Sequence, residues 1–125
     1  LENMKNIKNE VGVVEIADKR YPEMLKEIGS DAPKKLYYRG QWDQSIFDNC
    51  LAVVGSRRLT TYGRKVTEQF VSQIAPRGIT IVSGFMYGGD EAAHKTAIQS
   101  GGRTIAVMPC GINIIHPEYQ SGLYF

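Results

Sequence analysis

Three short apolar runs, each closed by a turn residue and spaced by room for one helix, constrain this chain more than any other feature. They are Leu51-Ala52-Val53-Val54 before Gly55, Ile79-Thr80-Ile81-Val82 before Ser83-Gly84, and Thr104-Ile105-Ala106-Val107-Met108 before Pro109. None shows the in–out alternation of a half-exposed strand. Continuous apolar runs of this length suit strands covered on both faces, as in a parallel sheet.

The segments between them carry helical signals. A helix is expected from about Tyr62 to Ala75, where Val66, Phe70 and Ile74 recur every four residues as a buried stripe, and Pro76 and Gly78 end it. A second is expected from about Asp90 to Gln99, with Asp90 as its N-cap and Ala93, Ala97 and Ile98 facing inward. The order is strand, helix, strand, helix, strand. Right-handed crossovers put both helices on one face of the sheet. That is the first half of a doubly wound, Rossmann-like α/β domain with a mostly parallel sheet. A full three-layer domain of this type adds further strands, and the chain stops at Phe125. A fragment, or a sheet completed by other polypeptide, is expected.

The lead-in is weaker. Residues 1–15 are polar and expected to be loose, with Leu1-Glu2-Asn3 ahead of Met4 left out of the fold argument, so the domain is placed at 16–125. Pro22 suits the first position of a short helix, on which Met24, Leu25 and Ile28 form a buried face before Gly29. Leu36-Tyr37-Tyr38-Arg39 reads as a short strand, with both tyrosines as packing residues.

Charge and cysteines exclude little by themselves. The net charge is +2, so position matters more than total. Cys50 and Cys110 stand in no metal-ligand spacing and are expected to be free, buried thiols of a reducing compartment. No apolar run approaches the length of a membrane span, and no signal-peptide pattern opens the chain. A cytoplasmic protein is the default expectation.

In open α/β sheets ligands sit at the carboxyl ends of the strands. Three segments fall there. Gly55-Ser56-Arg57-Arg58 offers a close backbone approach, a hydroxyl and two planar guanidinium forks that match phosphate oxygens. From Gly55 to Lys65 there are four basic residues and no acid, and the following helix adds the positive end of its dipole. The second segment, Ser83-Gly84 through Gly88-Gly89-Asp90, has three glycines between a strand and a helix, an anion-cradling arrangement. The third is Pro109-Cys110-Gly111. The candidate phosphate ligands are therefore Gly55, Ser56, Arg57, Arg58, Ser83, Gly84, Gly88 and Gly111. Tyr62 and Tyr87, just after the glycine turns, are candidates for base stacking, the sequence-tolerant part of single-strand recognition.

Other chemistries find less support. The dinucleotide fingerprint is absent, and no acid closes the second strand to hold a ribose. The Walker A pattern is absent too. Ser56 and Ser83 lack a nucleophile elbow. Asp90 and His94, four apart on one helical face, could be an acid–base pair, but an N-cap aspartate that orients a structural histidine is the favoured reading. His116, before Pro117, reads as a loop residue. No catalytic residue, metal ligand or cofactor is assigned.

Taken together, these segments resemble the DprA/Smf family over about residues 20–124. Tyr21-Pro22 with Leu25, Ile28 and Pro33, then Leu36-Tyr37 and Arg39-Gly40, resemble its lead-in. Ala52-Val53-Val54-Gly55-Ser56-Arg57 with Tyr62-Gly63 looks like its signature strand and loop. Ser83-Gly84, Gly88, Asp90, Ala93-His94 and Ala97 match the next block. Gly101-Gly102-Arg103-Thr104-Ile105-Ala106-Val107 with Cys110-Gly111 matches the third. The resemblance implies a Rossmann-like domain that binds single-stranded DNA, protects incoming DNA in natural transformation, helps load the RecA-type recombinase, dimerises and does no known chemistry. It places the basic DNA pocket at Gly55, Ser56 and Arg57. The chain departs from the family pattern at Met86, Tyr87, Gly89, Pro109 and His116, and an arginine common in the family is missing at Tyr87. The family's second half, with its later strands, an arginine-rich segment and much of the dimer surface, is not in this sequence. The alternatives are a sensor of free nucleotide, or a phosphoribohydrolase acting on nucleoside monophosphates. The cytokinin-activating enzymes of that second type carry a Pro-Gly-Gly-x-Gly-Thr-x-x-Glu run that this sequence lacks.

Overall fold

A computed structural model describes residues 10–114. The chain divides into two compact units, with the break between Phe47 and Asp48.

The first unit is built on an antiparallel pair, β1 (Gly12–Glu15) and β2 (Lys35–Tyr38). The segment expected to be loose up to residue 15 thus supplies a strand, because β2 provides the hydrogen-bonding edge that a lone polar segment lacks. Between them lies a 3-10 helix, Glu23–Asp31, interrupted at Gly29 with φ 67°. Pro22 caps this helix in extended conformation instead of entering it. Met24 and Ile28, expected to be buried, are exposed. A 3-10 helix brings residues three apart, not four, into line, so the expected face does not form. What holds the unit is Tyr21, fully buried with its hydroxyl donating to Pro33 O at 2.8 Å, and a run of aromatic contacts. Tyr38 lies 4.5 Å from Trp42 between ring centroids, and Trp42 lies 5.1 Å from Phe47. Tyr38 packs as expected, whereas Tyr37 is exposed.

The second unit carries the predicted strand–helix alternation. The elements are β3 (Cys50–Ala52), α1 (Thr61–Ile74), β4 (Thr80–Ser83), α2 (Gly89–Gln99) and β5 (Thr104–Ala106). The three strands form one parallel sheet in the order β3-β4-β5, with Leu51 opposite Ile81 and Ile81 opposite Thr104. Val71 and Ala75 from the first helix end, Ile81 from the central strand, and Ala93 and Ala97 from α2 share one core. Both helices therefore cover the same face, as right-handed crossovers in one direction require.

Two helix faces differ from expectation. On α1 the fully buried residue is Val71; of the expected stripe Ile74 packs partly against the core and Val66 is half-buried, while Phe70 is 65% exposed. Every-fourth-residue periodicity is satisfied by Thr67, Val71 and Ala75 as well as by Val66, Phe70 and Ile74. The small partners Ala93 and Ala97 let α2 approach the Val71 side. On α2, Ala93 and Ala97 are buried, but Ile98 is half exposed. The opposite sheet face and the open β3 edge leave Leu51, Val54 and Val107 exposed. Cys50 is exposed on that edge, and Cys110 is only partly buried, so neither is the buried thiol expected.

Candidate nucleic-acid interface

The carboxyl ends of β3 and β4 bring two of the three predicted segments together. After β3 the chain turns through Gly55, Ser56, Arg57 and Arg58, all exposed. The Ser56 hydroxyl shapes this turn by accepting from Arg58 N at 3.1 Å and lying 3.2 Å from Arg58 O. Thr60 then caps α1, its Oγ1 accepting from Gly63 N at 3.0 Å. The first turn of α1 contains no acid, and Arg64 and Lys65 lie in it or just beyond. Their charge adds to the positive helix end instead of offsetting it, which makes this terminus a favourable place for an anion. Tyr62 stands beside it, 77% exposed.

The second segment plays a different part. Gly88 (φ 73°) precedes α2, and Gly89 N donates to Ser56 O at 3.1 Å. A Cβ on Gly88 would collide with the carbonyl oxygens of Ser56 and Arg57. The glycines of this turn thus let one loop press backbone to backbone on the other. Ser83 is buried and its hydroxyl donates to Val53 O at 2.6 Å, so its proton is committed to tying β4 to β3. Gly84 sits against Asp90, whose Oδ2 would lie 2.7 Å from an added Cβ. Asp90 is not the N-cap, a position held by Gly88. It is a buried residue of the first turn whose Oδ2 accepts from Met86 N at 3.3 Å. With Glu91 beside it, α2 already carries two carboxylates at its positive end. The anion-favouring terminus of the pair is that of α1.

Tyr87 is 37% exposed at this edge. Gly111 lies in a turn beyond β5 with room around it. His116 lies outside the described residues. His94 is buried, and its Nδ1 lies 2.7 Å from Thr104 Oγ1. That threonine, and not Asp90, is its hydrogen-bond partner. Burial pushes the imidazole pKa down to about 4, an effect the Asp90 carboxylate opposes. A histidine so placed is neutral near pH 7. Sequence reasoning missed the role of Thr104, because it acts through His94 and Ile81, residues of other elements.

Among the described residues no cluster of His, Cys, Asp and Glu could hold a metal ion, and no helix is long and apolar enough to cross a membrane.

The chain is similar to known proteins in sequence and in fold. The sequence profile of DNA recombination-mediator protein A matches residues 12–124. The chain is 42% identical over 108 residues to DNA processing protein DprA of Streptococcus pneumoniae, covering 86% of this chain and 37% of that protein. It is 40% identical over 104 residues to protein Smf of Borreliella burgdorferi, covering 82% of this chain and 32% of the relative. The chain thus spans about a third of the length of these relatives. Among solved structures, DNA processing protein A of S. pneumoniae superposes with TM-score 0.83 at 36% identity, over 98% of this chain and 42% of that one. DNA processing protein A of Helicobacter pylori, whose structure describes a single-stranded DNA binding mode, gives TM-score 0.73 at 30% identity, over 91% of this chain and 49% of that one.

Proposed function

The chain belongs to the DNA recombination-mediator protein A family, and we propose that it binds single-stranded DNA at the carboxyl edge of its parallel sheet, through the loop after β3. The observation that carries this reading is the concentrated positive charge of that loop. Arg57, Arg58, Arg64 and Lys65 lie within eleven residues without an acid, around a helix end that also has none. Arg57 and Arg58 take phosphate oxygens with their planar forks. Tyr62, exposed beside them, gives a base a stacking surface. Gly88 and Gly89 shape the loop from behind, and Ser83 ties the strands beneath it. The reaction is binding, with no bond made or broken. In the whole protein this edge serves the handling of incoming strands in natural transformation and the loading of a RecA-type recombinase in the cytoplasm, with self-association adding further surface.

Fluorescence anisotropy with a labelled single-stranded oligonucleotide, across a salt series, tests the reading. Each phosphate contacted contributes a log–log slope of about −0.7. Arg57→Ala and Arg58→Ala should each flatten the slope by about that amount. Variants that bind like the parent, with the same slope, would move the site elsewhere. A mononucleotide that competes as well as the oligonucleotide would favour the sensor of free nucleotide instead.

A further inference from the structure

His94 is a buried polar residue that DNA binding does not use. It is 1% exposed. Thr104 Oγ1 donates its single proton to Ile81 O at 2.9 Å, so it receives the Nδ1–H of His94 at 2.7 Å. This fixes the tautomer and the ring plane. Nε2 is left as a buried acceptor without a hydrogen-bond partner among the described residues. Such an atom costs stability that an apolar side chain of the same size would not. The imidazole contributes placement, and what it places is Phe85.

Phe85 is the one non-glycine residue with positive φ, 62°, among the described residues. That backbone region is a genuine outlier for a bulky side chain and persists only where surroundings over-determine it. Phe85 is buried, and its ring meets that of His94 at 5.7 Å between centroids, tilted by 53°. The residues that follow it make the turn into α2. Met86 N donates to Asp90 Oδ2, and Gly89 N donates to Ser56 O.

We propose that His94 is a positioning residue for the basic loop, holding Phe85 in its left-handed conformation so that Gly88 and Gly89 stay pressed against Ser56 and Arg57. That DNA sits on this loop rests on the preceding reading; the brace itself does not.

Residue-resolved amide hydrogen exchange tests the brace without DNA. His94→Asn keeps a donor near the Nδ1 position but removes the ring on which Phe85 rests. The expected result is at least a tenfold loss of protection at Gly89, whose amide reaches Ser56, relative to the core amide of Ala97. Oligonucleotide affinity should fall about tenfold with the salt slope unchanged, since the arginines remain. Gly89 and Ala97 losing protection in step would mean that His94 merely stabilises the core, and would overturn the proposal. Should His94→Asn fail to fold, the same ratio in Phe85→Ala decides. If the parent protein binds no oligonucleotide, the DNA reading falls while the exchange ratio still judges the brace.

Discussion

The backbone of Gly89, at the start of α2, lies against that of Gly55, in the loop after β3: a Cβ built on Gly89 would stand 2.7 Å from the Gly55 Cα and 3.0 Å from its nitrogen. Backbone atoms cannot turn away as a side chain can. The two loops that crown the sheet edge are therefore one packed unit, and the position of the Arg57 backbone depends on a residue more than thirty positions later.

Gly89→Ala should consequently be costly. Forcing a methyl into this contact is overpacking, worth about 1–3 kcal/mol. A lower denaturation midpoint in urea, together with weaker oligonucleotide binding, is expected. Gly111→Ala is the control, since its Cβ meets nothing closer than 3.7 Å. Equal behaviour of the two variants would contradict the packing described.

The buried His94 makes stability depend on pH. Its folded pKa, about 4, lies below the ordinary 6.5. Between these values the unfolded chain binds more protons, so stability falls as pH drops from 6.5 towards 4 and is unaffected by this group above 6.5. The loss amounts to about 3 kcal/mol at full development. Urea midpoints from pH 7 to pH 4.5 measure it, and His94→Asn should remove this part of the dependence. An unchanged pH profile in that variant would assign the titration elsewhere.

Tyr62→Ala separates stacking from charge. Loss of a base platform weakens single-strand binding by about 1–3 kcal/mol. The salt slope should stay as in the parent, because no phosphate contact is removed. Anisotropy at two salt concentrations is enough to see the difference, and a flattened slope would mean that Tyr62 acts on the backbone instead.

The register of α1 is open to a direct test. Phe70→Ser changes an exposed position and should alter stability by no more than about 0.5 kcal/mol. Val71→Ala removes two buried methyl groups from the shared core and should cost about 2 kcal/mol. Thermal denaturation of both would show the reverse ranking if the Phe70 face were the buried one.

Thr60→Ala removes the side-chain cap of α1, whose Oγ1 accepts from Gly63 N. A cost of about 1 kcal/mol is expected. It should show in thermal unfolding, and an unshifted melting temperature would mean that this helix end is held by other contacts.

Local chemistry was enough to read the second unit's elements. Uninterrupted apolar runs closed by turn residues placed all three strands, and four-residue spacing between turn residues placed both helices, because hydrophobic period and turn preference are properties of neighbouring residues. The basic loop at Gly55–Arg58 and the end of the sheet on which it lies were legible for the same reason. What the tertiary structure decided were choices between local equivalents. Val71 and Phe70 are neighbours with equally good helical spacing, and only the packing of Ala93 and Ala97 selects the first. Met24 and Ile28 lose their face because the chain winds as a 3-10 helix. Gly88 and Ser83 read as anion ligands in the sequence, yet close approach of two loops and a bond to Val53 engage them within the fold. Asp90 and His94 looked like partners at helical spacing, but His94 bonds to Thr104 of β5 and Asp90 accepts from the Met86 amide instead. Most of these pairings join positions far apart along the chain, and a pattern read along one segment contains no term for the surface that will meet it.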